Sequence, residues 1–317
     1  MERFNPEFYT AGDLDSIAER LKISSTTLQN TLFPFKSQYH IKKEVSKSGK
    51  IRECFAPHKS LLLIQRRINQ YILNPIPIPD SMHGYRKKRS ILTNAARHRD
   101  KKCVAKFDIK DFFPSIHYMR INKMFLRMSF SKGEATILTR LTTVKNCLPH
   151  GFASSPRLAL ITLTNVDNRL KGAFQNVKLT YTFYSDDITI SGNCDVKKFE
   201  NLVIKIFKQE GFTINQKKIC YYGHRERQEV TGVVVNKQLN LSIDTRKNLE
   251  AILNNCLKLG AQTQIDRYWK EFGPSKKGGK TVDKFRERLL GKINYLQSIN
   301  HKSGNRLNVI LKRIDWT

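Results

Sequence analysis

Apolar residues recur along this chain with two different periods, and each period predicts an element. Leu14, Ile17, Ala18 and Leu21 have helical spacing, and Ser24 or Ser25 can cap a second short helix carrying Leu28 and Leu32. From Tyr39 to Ala56 two strand-like runs flank Lys47-Ser48-Gly49-Lys50, which predicts a β-hairpin that Pro57 closes. A helix follows with Leu61, Leu62, Ile64, Ile68 and Ile72 on its apolar side, and Pro75-Ile76-Pro77-Ile78-Pro79 ends it as a stiff connection. The basic stretch from His83 to Ile91 reads as a loop entering a helix at Asn94-Ala95-Ala96-Arg97-His98, and Cys103 to Phe107 reads as a strand that delivers Asp108 at its end. Leu179 to Tyr184 and Ile188 to Ser191 alternate until Gly192 stops them, so the intervening Ser185-Asp186-Asp187 is expected at a hairpin turn. Past Asp244 the pattern turns helical, with one helix around Leu249 to Leu257, a second around Phe285 to Leu296 and a third around Leu307 to Ile314. A basic loop, Gly273 to Lys280, lies between the first two.

Charge changes this picture more than composition does. The 317 residues hold 57 Lys plus Arg against 27 Asp plus Glu, a formal net charge of +30. So large an excess repels itself in a compact chain, and a polyanion that neutralises it while releasing counterions is the expected partner. Nucleic acid is therefore the first expectation. A membrane role is not expected, because no stretch approaches a spanning helix and Met1-Glu2-Arg3-Phe4-Asn5 is no secretion signal. The residues from Ala18 to Leu28 look like a helix-turn-helix, but without a cluster of base-reading side chains on the second helix they read as a packing unit. Six cysteines without any close pair form neither a zinc set nor a disulfide framework, so reduced thiols in a cytoplasmic protein are expected.

Adjacent aspartates in a turn are usually there for local hydrogen bonding. Asp186 and Asp187 gain another meaning if Asp108, at the end of a separate strand, converges on them. Nucleotidyl transfer needs two divalent cations, and Mg²⁺ is normally held by a few carboxylates together with substrate phosphates. Asp111 is also available beside Asp108, and the sequence leaves either as a ligand.

Three blocks in order carry a resemblance that covers nearly the whole chain. Phe107-Asp108-Ile109-Lys110-Asp111-Phe112-Phe113-Pro114-Ser115-Ile116, Leu148-Pro149-His150-Gly151-Phe152-Ala153-Ser154-Ser155-Pro156 and Tyr184-Ser185-Asp186-Asp187 resemble the first catalytic block, the Gly-rich block and the Tyr-X-Asp-Asp box of reverse transcriptases. Asn94-Ala95-Ala96-Arg97-His98 and Val230-Thr231-Gly232 are similar to elements of the bacterial retron class. The resemblance implies an α+β right-hand polymerase: an N-terminal helical extension over 1–38, interleaved fingers and palm over 39–244, with an antiparallel sheet and packed helices, and a helical thumb over 245–317.

It also implies roles. Asp108, Asp186 and Asp187 would bind two Mg²⁺ with the backbone at Ile109 close by, and Phe113 would be the steric gate that rejects a 2′-hydroxyl. His150 and Gly151 would lie near the incoming nucleotide, although many relatives carry Gln where this chain has His150. Ser155 would cap, and Pro156 begin, a helix beneath the template. Tyr184 and Ser185 would meet the primer terminus, with Ser185 standing where retron enzymes usually have Ala. Lys50, Arg52 and the Arg86 to Arg89 run would clamp the triphosphate, and Lys218 would act as general acid near the pyrophosphate. Asn94, His98, Thr231 and Gly232 would serve nucleic-acid binding, as would Lys276, Lys277 and Lys280. The implied partners are dNTPs, a cognate structured noncoding RNA with its branched msDNA product, a defence effector protein, and host RNase H for template removal. Reverse transcriptases of group II introns or diversity-generating elements are the nearest alternative, and a catalytically idle nucleic-acid-binding scaffold the more distant one.

Overall fold

Strand pairing follows the two-residue period closely. The computed structural model describes residues 9–45, 49, 51–272 and 281–316. β1 (Tyr39–Val45) and β2 (Ile51–Pro57) pair antiparallel, with Tyr39 opposite Pro57 and Val45 opposite Ile51. β3 (Cys103–Asp108), β4 (Thr180–Tyr184), β5 (Asp187–Gly192) and β6 (Cys220–Gly223) form a four-stranded sheet in the order β4-β5-β3-β6. Only Ser185 and Asp186 separate β4 from β5, and a link that short joins antiparallel neighbours. β7 (Glu229–Val230) and β8 (Val233–Val234) make a last small hairpin.

Helices occupy most of the remainder, and several begin where a side chain satisfies a free N–H group. Thr10 caps Ala11–Leu21 in a reciprocal box with Asp13, and Ser24 caps Ser25–Leu32, which decides between the two serines considered. Lys59–Ile68 continues as a wider turn through Leu73 before the prolines end it. The helix expected to start with Ser155 as cap spans Ser155–Thr162, but Ser154 stands at the cap position and offers it no side-chain hydrogen bond. Ser155 is thus already inside the first turn and buried, with Pro156 beside it.

The C-terminal region holds one helix more than the three expected: Ile243–Leu259, Ala261–Phe272, Val282–Ile299 and His301–Lys312. Ala261–Phe272 is the helix not expected, although Ala261, Ile265, Tyr268, Trp269 and Phe272 recur in its sequence at helical spacing.

By compactness the chain forms two units that cut across the expected boundaries at 38 and 244. The first comprises residues 1–87, 105–189 and 196–220, and the second 88–104, 190–195 and 221–317. In the first, Ile17, Leu21, Leu28, Leu32, Leu61, Ile64 and Ile68 are all buried. Phe112, Phe212, Phe207 and Phe183 form a chain of ring contacts with centroids 6.1, 6.4 and 6.3 Å apart, beside the ends of the catalytic strands. In the second, Leu249, Leu253, Phe285, Leu289, Ile293, Leu307 and Leu311 make one apolar cluster, and Ala95, Val104, Val230, Val233 and Val235 make another. Among the described residues no helix is long and apolar enough to cross a membrane, and all six cysteines are free thiols.

Candidate active site

Backbone hydrogen bonds bring the distant aspartates together. The N–H of Ile109, just past the end of β3, donates to the carbonyl of Asp186 at 3.0 Å, so Asp108 is held beside the β4–β5 turn. On the other side, Asn215 N–H donates to Asp108 O and Lys110 N–H to Thr213 O, both at 2.8 Å. This short antiparallel bridge leads directly into the turn Gln216–Lys218, and the Lys218 ammonium donates to Asp108 Oδ2 at 2.7 Å. The contact raises the Lys218 pKa, with further help from Asp186 and Asp187.

The electrostatics of the three carboxylates show the strain of their proximity. The Asp187 carboxyl is pushed up to about 6, first by burial, then by the charges of Asp186 and Asp108, with Lys218 and Lys106 opposing. The shift comes first from burial of the carboxyl, although the residue as a whole is exposed. Among the described residues no group of three acidic, His or Cys side chains is already gathered tightly enough to grip an ion. The donor chemistry nevertheless fits a hard cation: three carboxylates raise one another's energy, and Lys218 supplies the positive charge now placed on Asp108. Asp111 lines the same cleft but is exposed and does not contribute to the Asp187 shift.

A cleft of about 560 Å³ opens over this cluster, lined by Arg52, Tyr85, Asp108, Ile109, Phe113, His150, Ser185, Asp186 and Lys218 among others. Phe113 is only 8% exposed yet reaches the cleft. Its ring is fixed by Phe112 at 5.5 Å, by the edge of His150 at 5.0 Å and 90°, and by Tyr85 at 6.2 Å. A ring held on three sides is a rigid wall, which is what a steric filter requires.

Two glycines position this wall and the turn. Gly151 has φ 98°, and a Cβ there would lie 2.5 Å from Phe55 O and 2.8 Å from Cys54 Sγ. The close approach it permits is to the chain's own β2, where Phe55 N–H donates to His150 O at 2.7 Å. Gly84 was not singled out from sequence, yet a Cβ on it would lie 2.5 Å from the Ser185 nitrogen. The segment before it is sewn to β4, with Phe183 N–H donating to Ser81 O and His83 N–H to Phe183 O, both at 2.8 Å. Buried Asp167 ties the two together, accepting from Tyr181 Oη on β4 at 3.0 Å and from Ser81 Oγ. The signal that could have found this was the Gly-aromatic step His83-Gly84-Tyr85, where a tight approach needs the missing side chain.

The basic residues divide. Arg52 is exposed on the cleft, opposite Glu44 in the hairpin register. Arg86 instead donates to the carbonyls of Pro79 at 2.6 Å and Met82 at 3.1 Å, so its guanidinium braces the loop and is spent before reaching a triphosphate. Lys50, Lys276, Lys277 and Lys280 lie outside the described residues.

The two class-marking elements meet inside the second unit. Asn94 and His98 are 1% and 0% exposed, too buried for direct contact with a nucleic acid. His98 Nδ1 pairs with Ser191 Oγ at 2.7 Å, and Asn94 Nδ2 donates to Thr231 Oγ1 at 3.4 Å. Thr231 and Gly232 form the two-residue turn of the β7–β8 hairpin with φ 47° and 82°. A β-branched residue resists that conformation, and Thr231 is held in it by Asn94 and by donating to Ile91 O at 3.3 Å. Neither residue faces a nucleic acid: Asn94 braces this turn from within, and His98 is tied to β5 at Ser191.

Comparison with known proteins agrees with this geometry. Residues 41–235 match the family model described as reverse transcriptase (RNA-dependent DNA polymerase). The retron Ec86 reverse transcriptase of Escherichia coli is 29% identical over 305 residues, covering 93% of this chain and 92% of that protein. The retron Se72 reverse transcriptase of Salmonella heidelberg is 29% identical over 95% of this chain and 79% of its own length. The retron Mx65 reverse transcriptase of Myxococcus xanthus is 33% identical, and this chain spans 53% of it. A foamy viral protease-reverse transcriptase solved with double-stranded DNA is similar at a TM-score of 0.40 and 15% identity, over 88% of this chain and 44% of that one.

Proposed function

From the membership of this chain in the reverse transcriptase family, the RNA-dependent DNA polymerases, we infer that it copies a cognate structured retron RNA into branched msDNA. The observation that carries the reading is the bond from Ile109 N–H to Asp186 O, which joins the Asp108 strand end to the Asp186-Asp187 turn within the cleft that Phe113 lines.

Asp108, Asp186 and Asp187 would hold two Mg²⁺ ions, with the Ile109 backbone beside them. Bound there, the ions supply the activation of the attacking hydroxyl and the neutralisation of charge on the leaving pyrophosphate. The chain's own residues do the rest. Phe113, backed by Phe112 and His150, presents a ring where a 2′-hydroxyl of the incoming nucleotide would need room, which favours dNTPs. Lys218, already protonated beside Asp108, is placed to turn its ammonium toward the leaving group and donate a proton. Tyr184 and Ser185 would lie under the primer terminus, with Pro156 and buried Ser155 starting the helix beneath the template. Thr231 and Gly232 would form a turn that supports the primer, and the net charge of +30 would draw the RNA. Synthesis would begin from an internal guanosine 2′-hydroxyl, with template removal by host RNase H and a role in phage defence alongside an effector protein.

The test is replacement of Asp186 and Asp187 with Asn. DNA synthesis on the cognate RNA is expected to vanish while RNA binding persists, and continued synthesis would sink the assignment.

A further inference from the structure

Lys22 stands where a glycine would fit better. It follows the helix Ala11–Leu21 with a left-handed backbone, φ 54°. Its N–H donates to Glu19 O at 2.9 Å and the Ile23 N–H to Ala18 O at 3.0 Å, the two bonds that close a helix at a left-handed residue, a position glycine commonly fills. A lysine there strains the backbone where glycine would not. Packing accounts for the turn, since Ile17, Leu21 and Leu28 are buried around it and Ser16 Oγ bonds Glu134 to fix the helix on its neighbour. It does not account for a lysine. What the lysine adds is its side chain.

That side chain reaches Tyr71. The Lys22 ammonium lies 5.1 Å from the ring centroid and the Arg67 guanidinium 5.6 Å from the same centroid, both inside the roughly 6 Å of a cation–π contact. Arg67 also donates to Tyr71 Oη at 2.9 Å, and because the phenol accepts that bond its own proton is left to donate. Lys22 is exposed and the other two are half-buried, so the group meets solvent. Two like charges gathered on one ring repel each other, and among the described residues neither is paired with a carboxylate. The ammonium, the remainder of the guanidinium fork and the phenol offer donors and positive charge together, which is the complement of an anion. The seat is also held firmly: Gln65 and Asn69, on the opposite side of the segment that carries Arg67 and Tyr71, bond the Ala153 N–H at 3.0 Å and the Ala153 carbonyl at 2.8 Å.

We propose that Lys22, Arg67 and Tyr71 form a seat for a backbone phosphate of the bound RNA, outside the catalytic cleft. The turn between the two N-terminal helices, whose sequence reads as a packing unit, thereby gains a function. The proposal rests on the reading that this chain acts on a structured RNA. An open seat of three side chains holds a lone phosphate ion weakly, whereas a phosphate carried on a polymer is held there jointly with the other contacts of a chain of net charge +30.

The experiment measures binding of the full chain to an end-labelled RNA hairpin with single-stranded flanks over a series of salt concentrations. The unaltered protein is compared with Lys22→Gly, Arg67→Met, the two combined, Tyr71→Phe, and Lys171→Met as an exposed charge elsewhere. The slope of log affinity against log salt should become shallower by about 0.7–0.9 for each of the two charges removed, and by roughly twice that in the combined variant. Tyr71→Phe keeps both charges, so its slope should hold while affinity falls about two- to tenfold, the worth of one hydrogen bond. Lys22→Gly should melt no lower than the unaltered protein, because glycine suits the left-handed position, so its loss of RNA affinity is not a loss of fold. A constant inactive fraction shifts every affinity equally and leaves the slope alone. A slope unchanged in the combined variant, or changed equally by Lys171→Met, overturns the proposal. So does millimolar inorganic phosphate that, at constant ionic strength, erases the difference between the unaltered and combined proteins, since the seat would then take a free anion in preference to RNA. Failure of the unaltered protein to bind RNA at any salt would instead strike the reading of this chain as an enzyme acting on RNA, a distinguishable result.

Discussion

Lys218 Nζ lies 2.7 Å from Asp108 Oδ2, an ion pair across 110 residues of sequence between the end of one strand and the short turn that follows its neighbouring segment. The carboxylate side chain is 11% exposed and the lysine side chain 56%, so the lysine can leave while the aspartate stays. Asp108 with its lysine in place is a neutral pair, and a cation bound by Asp108 would compete with Lys218 for the carboxylate.

Lys218→Met should therefore slow nucleotide incorporation by about a hundredfold or more, the low end of what a positioned general acid contributes. Some stability should be lost as well, because the largely buried Asp108 carboxylate loses this cation beside two further carboxylates. Single-turnover incorporation and thermal unfolding of the same variant separate the two, and an unchanged rate would return Lys218 to a purely structural pairing.

Asp187 makes the stability of the cation-free protein depend on pH. Its carboxyl is raised to about 6 from the ordinary value of 3.8. A raised carboxyl binds its proton more tightly when folded, so it costs stability above about pH 6, and the cost fades as pH falls from about 6 toward 3.8. In chelator, the unaltered protein should gain on Asp187→Asn as pH is lowered from about 7 to about 4.5, and adding Mg²⁺ at neutral pH should raise the melting temperature of the former more than that of the latter. Urea unfolding across that pH range tests it, and a difference between the two proteins that stays flat with pH would refute the crowding.

Phe113→Ala should weaken discrimination against ribonucleotides by at least about tenfold, equivalent to about 1.4 kcal/mol. It also empties a buried position, for which about 3–5 kcal/mol of stability is the usual loss. Phe113→Val keeps more of the packing and should still admit the 2′-hydroxyl. Competition between dNTP and rNTP at a single template position reads the gate directly, and equal selectivity in both variants would make Phe113 a core residue only.

Gly84→Ala should disturb the Asp186 turn from behind, because the new Cβ would need to occupy a point 2.5 Å from the Ser185 nitrogen. Backbone cannot yield as a side-chain tip can, so destabilisation of about 1–3 kcal/mol is expected together with loss of synthesis. Gly172→Ala is the control, since nothing lies within 4 Å of its notional Cβ. Similar stability for the two variants would show that the segment carrying Gly84 is not held against the turn.

His98→Ala should destabilise the protein by about 2–4 kcal/mol, because it both empties a fully buried position and strands the Ser191 hydroxyl. RNA affinity per folded molecule should hardly change. A selective loss of RNA binding with normal stability would restore His98 to the interface.

How far the residues alone spoke for this protein depended on whether a feature was local. The hairpins, the strand ending in Asp108 and the turn at Ser185-Asp186 were legible because alternation of apolar positions and the turn residues are properties of consecutive residues. The three sequence blocks were legible in order and spacing, so the family needed no coordinates. The helix Ala261–Phe272 was legible too, since Ala261, Ile265, Tyr268, Trp269 and Phe272 recur at helical spacing, but the basic loop beside it drew the boundary elsewhere. Only tertiary structure could decide that Asn94 braces Thr231 rather than meeting a nucleic acid, that Arg86 is engaged by its own loop, and that Gly84 and Tyr85 belong to the active-site turn. Apart from Arg86, whose carbonyl partners lie four and seven residues away, these are contacts across long separations, and a side chain's partner across 100 residues is set by how the strands register, which no local pattern encodes.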